Sequence, residues 1–346
     1  MSKTKTVDSC IVVHPDFDKS WPFAADHFHE IWRQQGDVLF MRLLPGDPRR
    51  LGEVVPEPAQ VTRLVCLGVT VTVECLRAFP NLAEATFHRI HRQDTAADAR
   101  ASQEYAQQAG IRIYKQPSEG FWGESVSECA LTLTLCGLRR IPQLHHEIIA
   151  DQTPWNYGYR NEPGLVRGGQ FCDDVRFTNG TVKGKRVRVV GAGNIGSRYA
   201  SFMDMLGADV AMWDPFASDP CFHRAGARKV WYLDDLVKDA EIFAPMVPLR
   251  DATRGLVTAR HIQLLPRGCL VVLVTRAKIC DVDVIRERVL ADELALAADV
   301  WNVEPLPLDD PLLGRHNVVH TPHIAGRTMD ANREWVEMLA AQFLSR

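Results

Sequence analysis

The sequence predicts an α/β protein with parallel sheets, divided into two domains, and three observations predict it. The chain has 346 residues, beyond the ~250–300 at which a single hydrophobic core stops growing. Short β-rich runs alternate with helical patterns along most of its length, the mark of βαβ units. A glycine-rich turn, GAGNIG, follows an apolar run and opens a second series of such units with more than half of the chain already behind it.

Taken in order, SCIVVHP, TRLVCLGV, AEATFHRI and GIRIYKQ are the early strand signals. The Ala/Gln-rich DARASQEYAQQAG separates the last two as a helix. Between them LLPGDPRRLGEVVPEPAQ is dense in Pro and Gly and reads as loop. Residues 126–148 carry two patterns. Leu131, Leu133 and Leu135 alternate like a strand, Leu131, Leu135, Leu138 and Ile141 fit a helical face, and the length of the segment favours one long helix. From Asp151 to Gly184 the text is polar and turn-rich, an irregular excursion. VRVVG, DVAMWD, EIFAPMV, CLVVLVT, ALAADV and NVVHTP then supply six further strands. The chain closes on a helix whose Trp335, Met338, Leu339 and Phe343 share a face.

Composition removes several function classes. The formal charge is −3 with both signs interspersed, so no basic face for nucleic acid is expected. The N-terminal apolar run spans four residues, too short for a signal core or a membrane span, and a cytoplasmic protein is expected. Nine scattered cysteines form no C-x-x-C pair and read as small buried hydrophobes in a reducing compartment. His27, His29, His88, His91, His145 and His146 form no ligand motif, so no metal is expected.

In GAGNIG, Gly191 permits the tight turn, Gly193 lets the backbone approach a pyrophosphate, and Gly196 lets helix and strand pack closely. The following helix N-terminus offers N–H donors and a positive dipole end. Asp214, after the next strand, is placed to accept hydrogen bonds from the adenosine ribose hydroxyls and to repel a 2′-phosphate, which favours NAD over NADP. Three later stretches add VTRAKICD around Arg276, DVWNVEP around Glu304 and TPHIAG around His323. Each alone has an ordinary reading as a solvated charge, a turn acid or a loop histidine. Each follows a strand, however, and a parallel sheet gathers its carboxyl ends at the edge where ligands bind.

This set, in this order after a mid-chain GAGNIG, resembles the D-isomer-specific 2-hydroxyacid dehydrogenase family, with its phosphoglycerate, glycerate and hydroxypyruvate enzymes; GIRIYKQPSEGFWGESVSE fits it as well. The resemblance implies a Rossmann-type doubly wound NAD domain, residues 123–320, inserted into a smaller flavodoxin-like α/β substrate domain or lid, residues 1–122 and 321–346. It places the active site between the two domains and the helix 126–148 at a homodimer interface. It implies hydride transfer between NAD and C2 of a 2-hydroxy or 2-oxo acid. Arg276 then anchors the carboxylate and carbonyl, His323 gives and takes the proton, and Glu304 favours the charged histidine. Cofactor contacts carried over by motif are Gly191, Ala192, Gly193, Asn194, Ile195, Gly196, Asp214, Pro215, Pro248, Thr253, Thr275, Asp299 and Gly326, with Asp299 against the nicotinamide carboxamide. Glu128 matches an acid of the family signature or serves a structural role.

Two departures stand out. Ala277 replaces the glycine that the family writes after the arginine, and Lys278 adds a charge. The substrate loop, which in relatives is glycine-rich, is Thr95, Ala96, Ala97 and Asp98, so substrate identity does not transfer. His88, Arg89, His91, Arg92 and Arg100 either form a solvated face or hold a second anion of the substrate, Arg92 foremost. Phe121 and Trp122 instead offer an apolar wall. An NAD-sensing corepressor-like binding protein and phosphite-type oxidation on the same scaffold are the alternatives. Formate oxidation is disfavoured because those enzymes carry Gln where Glu304 stands.

Overall fold

Two sheets, each entirely parallel, organise the chain in a computed structural model that describes residues 7–88, 96–118, 120–150, 152–155, 171 and 173–344. The first belongs to a unit made of Met1–Phe121 and Arg327–Arg346, the second to a unit made of Trp122–Gly326. The excursion between the two long stretches of sequence is therefore a whole domain inserted into another.

In the first unit β1 (Ser9–Val13), β2 (Val38–Arg42), β3 (Arg63–Leu67), β4 (Glu84–His88) and β5 (Arg112–Tyr114) lie in the order β2-β1-β3-β4-β5, the flavodoxin-like arrangement. β1 and β3 are buried at every position, which is why they read as unbroken apolar runs instead of alternating ones. Cys10, Val12, Leu64 and Cys66 share one core with Leu76 and Ala106. The helix Ala24–Arg33 lies against β1 and packs on the closing helix Met329–Ala340. There Trp32 meets the edges of Phe28 and Phe343 at 5.2 and 5.0 Å. Trp335 and Leu339 are buried as the helical face required, while the helix ends at Ala340 and Phe343 reaches the core from beyond it.

Two elements here were not read from the sequence. β2 is a half-exposed edge strand, so its VLFMR carries neither the alternation nor the continuous burial that marks a strand. The short helix Leu51–Val54 sits inside the Pro/Gly-rich stretch read as loop. Its start is held by the Glu53 carboxylate, which accepts from the Arg50 amide at 2.8 Å, and Leu51 and Val54 are buried.

The second unit carries β6 (Arg186–Val190), β7 (Asp209–Trp213), β8 (Arg228–Lys229), β9 (Ile242–Pro245), β10 (Leu270–Leu273), β11 (Ala295–Ala298) and β12 (Val318–His320). Their order, β12-β11-β10-β9-β6-β7-β8, is the doubly wound dinucleotide-binding order extended by one strand, and the order reverses between β6 and β9. The two-residue β8 is too short to leave a pattern in sequence. On one face the helices Gly123–Arg139 and Asn194–Met205 meet, joined by a buried 2.9 Å hydrogen bond between the Thr134 and Tyr199 hydroxyls.

The segment 126–148 is not one long helix. Gly123–Arg139 ends where the Arg140 amide donates to the Cys136 carbonyl with Arg140 in the left-handed region, φ 53°, and a second helix runs over Ile141–Ala150. Pro142 explains the break: lacking an N–H, it fits the first turn of a new helix and not the middle of a continuous one. Residues 321–326, grouped by sequence with the lid, lie in the second unit. Of the cysteines, Cys10, Cys66, Cys75, Cys269 and Cys280 are buried and Cys129, Cys136 and Cys221 half-buried; all eight are free, and Cys172 lies outside the described residues. Among the described residues, no helix is long and apolar enough to cross a membrane.

Candidate functional site

Because every strand of the second sheet runs the same way, all of its carboxyl ends fall on one edge. The glycine turn follows β6, Asp214 follows β7, Pro248 follows β9, Thr275 and Arg276 follow β10, Asp299 and Glu304 follow β11, and His323 follows β12. Sequence spacing alone brings these residues to one line; the hydrogen bonds show how each is held.

At the turn, Gly191 has φ 101°, and a Cβ there would stand 2.7 Å from Val247. A Cβ on Gly196 would stand 2.1 Å from the Gly191 carbonyl oxygen, so β6 and the helix Asn194–Met205 meet at a distance only hydrogen permits. Gly193 is different. It is exposed, and nothing lies within 4 Å of where its Cβ would be. This is an open cradle of backbone at a helix N-terminus, which fits a pyrophosphate. The Asp214 carboxylate accepts from the Ala192 amide at 2.8 Å with one oxygen. The other accepts from the Phe216 and Ala217 amides at 2.9 and 3.1 Å. Asp214 thus ties the end of β7 to the glycine turn besides standing where a ribose would lie. Pro248 is exposed, and its carbonyl accepts from the Thr253 hydroxyl at 2.5 Å, closing the short turn Asp251–Thr253.

Glu304 and His323 meet directly. The His323 Nδ1–H donates to Glu304 Oε2 at 2.8 Å, and Glu304 Oε1 accepts from the Trp301 amide at 2.8 Å. Burial alone would raise the Glu304 carboxyl. The bonds from His323 and Trp301, with the charges of His323 and Arg276, outweigh it and hold the group below its usual range. The carboxylate is therefore ionised at neutral pH and can only accept, which fixes the imidazole proton on Nδ1 and leaves Nε2 for another partner. The pair is part-exposed, 36% for Glu304 and 42% for His323, so it is reachable from solvent. His323 has φ 58°, a left-handed backbone uncommon outside glycine.

Arg276 is exposed at the end of β10, with Nη1 donating to the Thr275 carbonyl at 2.6 Å. Thr275 is buried and its hydroxyl donates to Pro245. Ala277, where relatives write glycine, is accommodated without strain as the first residue of a short 3-10 turn, Ala277–Ile279, and is buried; Lys278 is exposed. Asp299 is fully enclosed, and both of its oxygens are taken by the loop that carries His323.

With this geometry in view, comparison with known proteins is decisive. Residues 158–325 match the NAD binding domain of the D-isomer specific 2-hydroxyacid dehydrogenases. The chain belongs to that family. It is 31% identical over 229 residues to D-3-phosphoglycerate dehydrogenase of Archaeoglobus fulgidus, covering 65% of this chain and 39% of that protein. With the enzyme of the same name from Haemophilus influenzae it is 26% identical over 279 residues, 79% of this chain and 61% of that one. The chain thus spans about two-fifths to three-fifths of these relatives. Among solved structures, a D-isomer specific 2-hydroxyacid dehydrogenase of Lactobacillus delbrueckii ssp. bulgaricus in its NAD-complexed form superposes with a TM-score of 0.69. That match has 15% identity and covers 96% of each chain, so it carries the fold. Within this dehydrogenase family, 122–326 is the NAD-binding unit.

Other expected site residues fare differently. Phe121 is buried against Trp21 in the first unit, centroids 5.9 Å apart, and offers no exposed wall. Trp122 belongs to the second unit, half-buried, its indole within 3.3–3.4 Å of where a Cβ on Gly326 would stand. His88 is not on a solvated face: as the last residue of β4 its ring packs among Phe17, Trp21 and Trp335. Arg100 is solvated, paired with Glu104 at 2.8 Å. Ala97 begins the exposed side of the helix Ala96–Gln108, whose Ala96 side chain is not described, and Arg89, His91, Arg92 and Thr95 lie outside the described residues. Glu128 is exposed on its helix. Sequence reasoning passed over Trp301 and Thr321, because a backbone amide and a loop hydroxyl leave no motif.

Proposed function

We propose that the protein is an NAD-dependent oxidoreductase that moves hydride between the nicotinamide and C2 of a 2-hydroxy or 2-oxo acid. The observation that carries this reading is the 2.8 Å bond between Glu304 and His323 on the strand edge that also holds the open glycine turn. NAD, when bound, supplies or accepts the hydride. The chain supplies the rest. Gly193 and the amides beginning the helix Asn194–Met205 would take the pyrophosphate, and Asp214 the ribose. Arg276 would pair its guanidinium with the substrate carboxylate and polarise the carbonyl. His323, its proton fixed on Nδ1 by Glu304, would exchange the substrate's proton through Nε2. Glu304 would stabilise the charged ring formed in the oxidative direction.

Homodimer formation belongs to the same proposal and is supported by the helix Ile141–Ala150, which buries no residue and exposes Ile141, Ile148 and Ile149. Sedimentation velocity is expected to give twice the monomer mass; a single monomer species would remove that part. For the activity, NADH oxidation is followed with glyoxylate, hydroxypyruvate, pyruvate and 3-phosphohydroxypyruvate. Turnover of at least one of them is expected. NADH binding without turnover of any 2-oxo acid would overturn the reading in favour of a protein that only senses the nucleotide.

A further inference from the structure

We propose that Asp299 is a positioning residue whose carboxylate, by gripping the loop after β12, sets the backbone of His323 and so the aim of its imidazole. This rests on the reading that His323 handles the substrate's proton. It departs from the expectation that Asp299 touches the nicotinamide.

Asp299 is the first residue after β11, anchored by its own amide to the Leu273 carbonyl at 2.8 Å, and it is 0% exposed. Its Oδ1 accepts from the Thr321 hydroxyl at 2.6 Å and from the Ile324 amide at 2.9 Å; its Oδ2 accepts from the Ala325 amide at 2.9 Å. These donors flank His323 on both sides, and His323 alone of the loop has a left-handed φ of 58°. A non-glycine residue keeps that conformation only where its surroundings over-determine it. The three bonds to Asp299 do so, together with the Thr321 amide bonded to Ala298 and the Trp301 indole bonded to the Thr321 carbonyl.

The choice of side chain follows from the donors. Three O–H or N–H groups converge on one enclosed point, and an ionised carboxylate accepts from all of them. Asparagine would turn its NH2 toward the Ala325 amide, donor against donor, and release one side of the loop. Nor does a fully enclosed carboxylate, already bonded through both oxygens, offer a face to a cofactor.

Asp299→Asn and the milder Thr321→Val test the assignment in the full chain with NADH and the best 2-oxo acid. For Asp299→Asn, kcat is expected to fall ~10²-fold, the scale of a catalytic group displaced by about 1 Å. The NADH dissociation constant should stay within about twofold, because no cofactor contact is lost. Thr321→Val should fall ~10-fold in kcat, one hydrogen bond to a charged group being removed. The downfield proton resonance of the His323 Nδ1–H, bonded to Glu304, should shift or vanish in Asp299→Asn and not in an unrelated core variant. Weakened NADH binding with unchanged kcat would make Asp299 a cofactor contact, and a lower melting point with unchanged kcat would make it structural only. Either result overturns the proposal. If Asp299→Asn cannot be purified folded, Thr321→Val decides on the same readouts. Should the wild type turn over no 2-oxo acid, the functional reading fails alone, and the His323 resonance still decides this one.

Discussion

Replacing Gly196 and Gly193 separately by alanine distinguishes packing from ligand approach within one turn. A Cβ on Gly196 would lie 2.1 Å from the Gly191 carbonyl oxygen, a backbone atom that cannot swing away. Ordinary carbon–oxygen contacts are ~3.3 Å, so turn and helix must separate by about 1 Å. Overpacking a close-packed site costs ~1–3 kcal/mol, and a backbone obstacle puts this case at the upper end. For a unit of about 200 residues, ~3 kcal/mol lowers the melting temperature by ~6–12 °C. Gly193 has room for a methyl group and φ −77°, so alanine there loses only the glycine N-cap advantage, ~1 kcal/mol or less. Its methyl would instead stand in the path of the pyrophosphate, and a loss of about 1.4 kcal/mol there is a tenfold weaker Kd for NADH. Differential scanning fluorimetry and NADH fluorescence titration measure both variants. An unmoved melting point for Gly196→Ala, or wild-type NADH affinity for Gly193→Ala, would refute the division of labour between the two glycines.

His323→Ala should lower kcat by at least ~10²-fold with the NADH Kd near wild type; equal loss of binding would make the histidine structural. Asp214→Ala should relax the discrimination against NADP in kcat/KM and also lower the melting point, since three backbone amides lose their acceptor; an unchanged NAD/NADP ratio would contradict the ribose assignment. The Glu304 carboxyl is held below its unfolded value of 4.5, so its ion pair stabilises the fold above that pH and the contribution is lost as pH falls through the lower folded value. The melting-point gap between wild type and Glu304→Gln should accordingly close on acidification from pH 6 to below about 4; a gap that widens instead would mean the pair does not form.

What could be read in advance follows physical lines. Strands buried on both faces, β1, β3, β6 and β10, announce themselves because nothing polar interrupts them. Edge strands β2 and β8 do not, since their burial is partial or their length is two residues. Arg276, Glu304 and His323 were legible because each stands at the end of a strand signal, and parallel pairing brings such ends together. The grip of Asp299 on residues 321–325 was not, because it is made largely with backbone amides, which every sequence has. Phe121 and Trp122 show the same limit: adjacent aromatics looked alike in sequence, and the chain passes from one unit to the other between them.

The inserted order of the two units has a consequence for synthesis on the ribosome. The first sheet emerges early, but the helix Met329–Ala340 that packs on Ala24–Arg33 comes only after the whole of Trp122–Gly326 has been made. At ~5–20 residues per second, those roughly 200 residues take about 10–40 s. Throughout that interval the aromatic surfaces of Trp21 and Trp32 have no Trp335 or Phe343 to rest on. The nascent first domain is thus a predicted client for chaperones that hold exposed aromatic surface, until the last turn of polypeptide arrives to cover it.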